Sequence, residues 1–344
     1  MSTHTIELTT RDGKQLRFDC AGDQNLLEAA ADAHIALPSQ CRQGNCGACY
    51  AEVTRGDYTL GKYNPFALPA DDVEKGGTLL CRTFPRGDLS ISLPLNHDHI
   101  LIGKIPRRSA DIVTIEPIGE NTVRLELRYA PDEEDGNSAE FEPGQFAELE
   151  VPGQDIKRAY SLSNTSNWEG RLEFLIRLQP GGRFSTWLRE QAQPGQPLIV
   201  HGPQGAFGLS ESGLRPRWFV AGGTGLAPML SMLRRMAELQ EPHPARLYFG
   251  VNRVEELFCQ RELEALRAEL PRFQVTLCVW KPSADWTGFR GTPVDALVRD
   301  LSEASVLPDI YLCGPPALID AAEAATRALN VPAAHIISER FLPA

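Results

Sequence analysis

Cys41-Arg42-Gln43-Gly44-Asn45-Cys46-Gly47-Ala48-Cys49 places three cysteines within nine residues, and a fourth, Cys81, follows later in the chain. The C-x4-C-x2-C…C spacing is that of a [2Fe-2S] site, where four thiolates are needed to hold two irons. Gly44 and Gly47 would let the backbone fold tightly around such a cluster and aim amide N–H groups at its sulfurs. A zinc site usually pairs C-x2-C knuckles with one another, and this sequence offers a single such pair. The other four cysteines, Cys20, Cys259, Cys278 and Cys313, are scattered. Met1-Ser2-Thr3-His4-Thr5 lacks a basic segment followed by an apolar one, so the cysteine cluster reads as metal binding rather than as a disulfide framework.

Around this loop the pattern is that of a small mixed sheet with one main helix. Thr5–Thr9, an Asp12-Gly13 turn and the alternating stretch around Leu16–Phe18 predict a β-hairpin. Asn25 and Glu28 have capping-box spacing, and Leu26, Leu27, Ala30, Ala33 and His34 follow a helical period. After the loop, Tyr50–Thr54 and Leu89–Leu93 read as strands. His97-Asp98-His99 suggests a metal fragment, but no other histidine or cysteine lies near it in the sequence, and it reads as solvated linker. From Ile100 to Ala110, Gly103, Pro106 and two arginines suit a linker.

Beyond the linker, 112–118, 122–128, 146–151, 172–178 and 198–201 read as short strands separated by turn residues, which predicts an antiparallel barrel, with one helical segment at 184–191. The acidic run Asp132-Glu133-Glu134-Asp135-Gly136 reads as an exposed hairpin end. From Trp218 onwards strand and helix alternate: strands at 218–221, 247–251, 275–280 and 310–313, helices at 226–239, 262–269, 294–301 and 317–329. Such alternation predicts a parallel sheet covered on both faces, with ligands bound outside the carboxyl ends of its strands. Three domains are therefore expected at 1–98, 99–212 and 213–344: an α+β ferredoxin of the β-grasp type, an antiparallel β-barrel and an α/β parallel-sheet domain.

With 344 residues, 42% hydrophobic and 23% charged, the chain has material for several cores. Its formal net charge of −11 excludes nucleic acid and an anionic membrane surface as natural partners. No apolar run is long enough to span a bilayer, and a cytoplasmic protein is expected.

Three further motifs carry chemistry. Arg158-Ala159-Tyr160-Ser161 presents a phosphate-pairing guanidinium, a stacking ring and a hydroxyl within four residues, the groups that a flavin nucleotide requires. Gly181-Gly182-Arg183-Phe184-Ser185-Thr186 opens a helix whose free N–H groups and hydroxyls suit a pyrophosphate. Val220-Ala221-Gly222-Gly223-Thr224-Gly225-Leu226-Ala227-Pro228 lies where a strand meets a helix, and its glycines allow close approach to a phosphate-bearing ligand, although it lacks the G-x-G-x-x-G order. Cys313-Gly314-Pro315-Pro316 would meet the same crevice. For Cys313 taken alone, a buried core cysteine is the commoner role.

Taken together, Cys41–Cys49, Cys81-Arg82-Thr83, Arg158–Ser161, Arg171–Arg177, Val220–Pro228, Asp309–Pro316 and Phe341-Leu342-Pro343 resemble the ferredoxin–NAD(P)+ reductase superfamily in its form with an N-terminal plant-type ferredoxin domain, in particular the reductase components of soluble methane and alkane monooxygenases. The resemblance implies an NADH-oxidising, monomeric reductase with FAD and a [2Fe-2S] cluster held by Cys41, Cys46, Cys49 and Cys81. It implies that Arg158 holds flavin phosphate, Tyr160 stacks on the isoalloxazine and Ser161 bonds near its reactive nitrogen. Gly182 and Ser185 would bind the pyrophosphate. Gly222, Gly223, Thr224 and Gly225 would receive the pyridine nucleotide, with Cys313 and Gly314 near the nicotinamide and Phe341 against the flavin ring, so that Ser161, Cys313 and Phe341 line the reacting centre. The implied partner is a diiron hydroxylase docking near the ferredoxin domain. A Rieske ring-hydroxylating dioxygenase, or a carrier or sensor role outside oxygenases, are the alternatives. Glu255 and Glu256 would repel a 2′-phosphate and Arg253 would attract one, which leaves the preference for NADH resting mainly on the resemblance.

Overall fold

The computed structural model describes residues 2–39, 42–45, 47–65, 67–97, 100–132, 136–210 and 213–341. It divides into two compact units, one of Met1–Pro106 with Gln204–Ala206, the other of Arg107–Pro203 with Phe207–Ala344. The second unit contains both remaining large sheets. Among the described residues no helix is long and apolar enough to cross a membrane.

In the first unit, Thr3–Thr9 pairs antiparallel with Gln15–Ala21 and parallel with Leu89–Ser92. Tyr50–Arg55 and Gly77–Leu79 complete a five-stranded mixed sheet. Alternation drives this assembly: Ile6 and Leu8 on one strand and Phe18 and Cys20 on its partner are buried, while Glu7 and Asp19 between them face solvent. Thr10 N donates to Lys14 O at 2.9 Å, closing the hairpin at the Asp12-Gly13 turn. The helix Leu26–Asp32 lays Leu26, Leu27, Ala29 and Ala30 on this core. Only half of the predicted capping box forms, the Asn25 side chain accepting from Glu28 N at 3.0 Å. The helix also ends sooner than its apolar period suggests, because Ala33 is its C-cap and His34 has φ 61°. The expected 100–110 linker is partly structured: Leu101–Ile102 pairs with Ile35–Ala36, and the strand Arg107–Gly119 begins inside it. Asp98 and His99 lie outside the described residues, as do Glu133, Glu134 and Asp135 of the acidic run.

The second unit begins with a six-stranded sheet ordered Lys157–Ser161, Phe146–Glu150, Pro197–Gln204, Arg107–Gly119, Thr122–Tyr129, Arg171–Arg177. Its outer strands meet through a bridge between Leu162 and Phe174, and Ser163 N donates to Glu173 O at 2.8 Å, so the sheet closes into a barrel. Leu125, Leu127, Leu149, Phe174, Ile176 and Val200 fill it, and the helix Arg183–Glu190 adds Phe184, Trp187 and Leu188 to the same core.

The other sheet is parallel throughout, ordered Phe289–Arg290, Phe273–Val279, Ala245–Val251, Arg217–Gly222, Asp309–Gly314, Ile336–Arg340. Both faces are covered, so its central strands run apolar through their middles, with charges confined to their first two positions, at Arg217, Arg246 and Asp309. Phe219 and Ala221 point towards the helices Leu226–Glu238 and Gln260–Glu269, whereas Trp218 and Val220 point towards Pro293–Ser302 and Pro316–Ala328. Each such large side chain contributes roughly 1.5–3 kcal/mol through burial. Thr292 and Asp295 form a complete capping box at the start of Pro293–Ser302. From Arg217–Gly222 the chain moves outwards through Ala245–Val251 and Phe273–Val279, then returns to the opposite side of Arg217–Gly222 as Asp309–Gly314. That reversal opens a crevice at the carboxyl ends of these two neighbours.

A buried ionic network ties the barrel to the parallel sheet. Glu173, on a barrel strand, accepts from Ser163 Oγ at 2.7 Å and from Arg234 Nη1 at 2.7 Å, with Arg124 Nε at 3.7 Å. Arg124 also pairs with Glu262. Burial pushes the Glu173 carboxyl up, but Arg234, Ser163 and Arg124 together outweigh it and hold its pKa below the ordinary 4.5. A carboxylate with a depressed pKa stabilises the fold at pH above its unfolded value, and that contribution is lost as pH falls through the folded value. Glu173→Gln is therefore expected to lower stability at pH 7 by about 3–5 kcal/mol, as when one partner of a buried pair is removed. Denaturation series at pH 7 and below pH 4.5 should show a smaller acid-induced loss in the variant than in the parent.

Candidate functional site

The crevice is built by close backbone approach. Arg217–Gly222 and Asp309–Gly314 run side by side, with Ala221 opposite Cys313. At their carboxyl ends a Cβ on Gly225 would lie 2.2 Å from Cys313 O, and one on Gly222 would lie 2.7 Å from Leu318 Cδ2. Glycine is thus required for the 222–225 turn to lie against the 313–315 turn, which leaves backbone N–H groups and a helix N-terminus facing the crevice. The structure brings Gly222, Gly223, Thr224, Gly225, Cys313 and Gly314 together as expected from the sequence. Phe341 joins them, its N–H donating to Gly314 O at 2.8 Å and its ring packed on the adjoining core. Leu342 and Pro343 lie outside the described residues.

The barrel reaches the same place through Ser161, whose Oγ donates to Glu339 Oε2 at 3.2 Å within a buried setting. Glu339 stands opposite Cys313 in the pairing of the last two strands. Burial, and after it the charge of Glu339, pushes the Cys313 thiol well above its usual range, so it is a neutral thiol rather than a thiolate. A hydroxyl, a neutral thiol and a carboxylate therefore meet at one point, bordered by glycine backbone and an aromatic ring. This set contains no activated nucleophile. It suits the positioning of flat ring systems and the exclusion of water. Glu339 was not singled out from the sequence. The signal was present in Ile337, Glu339 and Phe341, a period-2 row in which a carboxylate stands between two residues that pack on the core.

The two flavin-type motifs also meet. Tyr160 is half-buried, and its ring centroid lies 5.2 Å from that of Phe184 on the helix that Gly182 opens. Burial raises the Tyr160 phenol pKa, so it remains protonated. Ser185 Oγ accepts from Gln179 N at 2.9 Å, which folds the 179–185 turn over the helix start. Arg158, at the outer end of the same strand, donates to Lys157 O at 2.7 Å. Ring, guanidinium and helix N-terminus border one edge of the barrel, an arrangement that fits a flavin nucleotide.

In the first unit Cys49 and Cys81 are both buried, whereas Cys41 and Cys46 lie outside the described residues. Cys49 O accepts from Leu80 N at 3.0 Å, placing the Cys81 turn beside the cysteine loop. Gly44 and Gly47 have φ of 77° and 78°, and a Cβ on Gly44 would come within 2.8 Å of Arg82 Cγ, so this tight loop depends on glycine. The buried Thr78 and Thr83 hydroxyls, 2.6 Å apart, bracket the Cys81 turn. A thiolate donor set in such a loop fits a [2Fe-2S] cluster.

Comparison with known proteins agrees with this geometry. The model of the 2Fe-2S iron-sulfur cluster binding domain matches residues 9–86, that of the oxidoreductase FAD-binding domain residues 109–208, and that of the oxidoreductase NAD-binding domain residues 219–324. The chain is 38% identical to methane monooxygenase component C of Methylosinus trichosporium, over 87% of each chain. It is 36% identical to the anthranilate 1,2-dioxygenase electron transfer component of Acinetobacter baylyi, over 98% of this chain and 97% of the relative. A crystal structure of an Amycolatopsis cytochrome P450 reductase is similar with a TM-score of 0.76 and 29% identity, covering 98% of this chain and 99% of that one. The fold and site define an iron-sulfur flavoprotein oxidoreductase. The chain belongs to the ferredoxin–NAD(P)+ reductase superfamily, in the form that carries a [2Fe-2S] ferredoxin domain, and it uses FAD, a [2Fe-2S] cluster and NADH.

Gly225→Ala is expected to push the 222–225 turn away from Cys313 O and slow NADH-dependent flavin reduction by at least about tenfold, equivalent to ~1.4 kcal/mol. Stopped-flow measurement of flavin absorbance across NADH concentrations checks this.

Proposed function

We propose that the chain is the reductase component of a multicomponent oxygenase and delivers electrons singly to a diiron hydroxylase. The observation that carries the reductase reading is the convergence of Ser161, Glu339, Cys313 and the Gly222–Gly225 turn at the reversal of the parallel sheet. The likeness to methane monooxygenase component C supports the diiron partner. A second reading, service to a Rieske ring-hydroxylating dioxygenase, is favoured by the likeness to the anthranilate 1,2-dioxygenase component across almost the whole chain.

Bound FAD supplies the conversion of the electron pair carried by NADH into the single electrons that a [2Fe-2S] cluster accepts. In this reading Gly222, Gly223, Thr224 and Gly225 seat the pyridine nucleotide, and Cys313 and Gly314 border its nicotinamide. Ser161 and the neutral Cys313 thiol would fix ring orientation without contributing a nucleophile, and Phe341 would lie against the flavin ring at the place the nicotinamide would occupy. Arg158 pairs with flavin phosphate, Tyr160 stacks on the ring system, and Gly182 with Ser185 receives the pyrophosphate. Cys41, Cys46, Cys49 and Cys81 hold the cluster. We assign the domains to 1–98, 99–212 and 213–344, with the oxygenase docking near the first, and read the protein as a cytoplasmic monomer.

Cys81→Ser should keep NADH-driven bleaching of the flavin band while losing the cluster's electron paramagnetic resonance signal, and a normal cluster in that variant would remove Cys81 from the ligand set. Product formation with a purified soluble diiron alkane hydroxylase, but not with a Rieske dioxygenase, is the outcome expected of the whole enzyme. Product with the Rieske enzyme alone would transfer the chain to the second reading.

A further inference from the structure

The structure contains an arginine where a dinucleotide's adenosine ribose is normally recognised, and that arginine is occupied. In sheets of this kind the residues just past the second strand meet the ribose, an acidic group suiting a 2′-hydroxyl and an arginine suiting a 2′-phosphate. Here the second strand is Ala245–Val251, followed by Asn252 and Arg253, both exposed. The Arg253 guanidinium is held from two sides. Its Nη2 donates to Glu120 Oε2 at 2.5 Å, and its Nε donates to Glu256 Oε1 at 3.3 Å. Glu256 Oε2 also accepts from Asn252 N at 3.3 Å, which fixes that carboxylate against the end of the strand.

Glu120 comes from the barrel, at the turn between the strands Arg107–Gly119 and Thr122–Tyr129. The turn is seated on the nucleotide-binding part by its backbone: Glu120 N donates to Glu255 O at 3.2 Å, and a Cβ on Gly119 would lie 3.4 Å from Phe258 Cβ. A long side chain on a free loop would visit Arg253 only occasionally. Delivered from a seated turn, the carboxylate is held beside it. The other charges nearby are Glu255, exposed on the same turn as Glu256, and Lys281, whose N–H donates to Asn252 O at 2.8 Å and whose ammonium lies 4.7 Å from the centre of the Trp280 ring. Two carboxylates thus hold one guanidinium, with Glu255 next to Glu256 in the same turn.

We infer that Glu120 and Glu256 sequester Arg253 from a 2′-phosphate and so set the enzyme's preference for NADH, with Glu120 acting across from the barrel. This inference rests on the assignment of the crevice to the pyridine nucleotide. Turnover of the parent enzyme with NADH tests that assignment separately. Glu120 makes no contact with the glycine turn or with Cys313 in this reading, so its removal leaves the use of NADH in place.

The experiment compares Glu120→Gln, Glu120→Gln with Arg253→Ala, and the parent holoenzyme. Calorimetric titration with 2′,5′-ADP should show about tenfold tighter binding to Glu120→Gln than to the parent, and kcat/KM for NADPH should rise by a similar factor while that for NADH stays within about threefold. Adding Arg253→Ala should abolish both gains, and raising the salt concentration should shrink them, as expected for an exposed cation meeting a phosphate. Unchanged 2′,5′-ADP affinity in Glu120→Gln would overturn the inference, as would an equal gain in the double variant, which would place the attraction on Lys281 instead.

Discussion

The packing of two backbone turns at the carboxyl ends of neighbouring parallel strands is the constraint on which the site depends. Gly225 lies so close to Cys313 O that no side chain fits between them, and the Gly222 turn is similarly pressed against the 314–318 segment. The sheet order creates this neighbourhood by bringing Asp309–Gly314 back beside Arg217–Gly222. Once the turns are in contact, Cys313 is fully enclosed, Glu339 falls opposite it, and Ser161 of the barrel can close the group with a hydrogen bond.

The buried network around Glu173 has a complementary role. Burying a carboxylate is costly unless it is bonded and paired, and here Ser163 and Arg234 bond one oxygen while the Arg124 guanidinium lies 3.7 Å from the other. Two of the partners, Ser163 and Arg124, belong to the barrel, whereas Arg234 belongs to the helix that follows the glycine turn. The helix that carries Arg234 also follows the glycine turn, so the Glu173 network and the Ser161–Glu339 hydrogen bond both join the barrel to the parallel-sheet part. Ser163 follows the flavin motif by two positions, where its hydroxyl could have been read as incidental.

Much of this was legible in the sequence because local chemistry dictated it. The cysteine spacing, the positive-φ glycines of the loop, the apolar runs of the parallel strands and the strand-to-helix glycine turn are all short-range signals. The elements that escaped are those set by tertiary pairing. Leu101–Ile102 becomes a strand only because Ile35–Ala36 lies beside it, and Gly77–Leu79 and Thr83–Pro85 are too short to show a period. Among site residues, Glu339 and Glu120 escaped for the same reason. An acidic residue in a strand or turn looks solvated until the partner that buries or binds it, 178 positions away for Glu339 and 133 for Glu120, is known.

The seated Gly119–Glu120 turn also bears on how such chains can be recombined. Three sequence segments match three family models, which invites the view that each can be exchanged for a relative's version. A crossover between the barrel and the parallel sheet would instead part Glu120 from Arg253 and Glu173 from Arg234. The heritable unit for choosing and orienting the nucleotide is therefore the pair of sheets, and a transplanted nucleotide-binding segment would take its specificity partly from its new host.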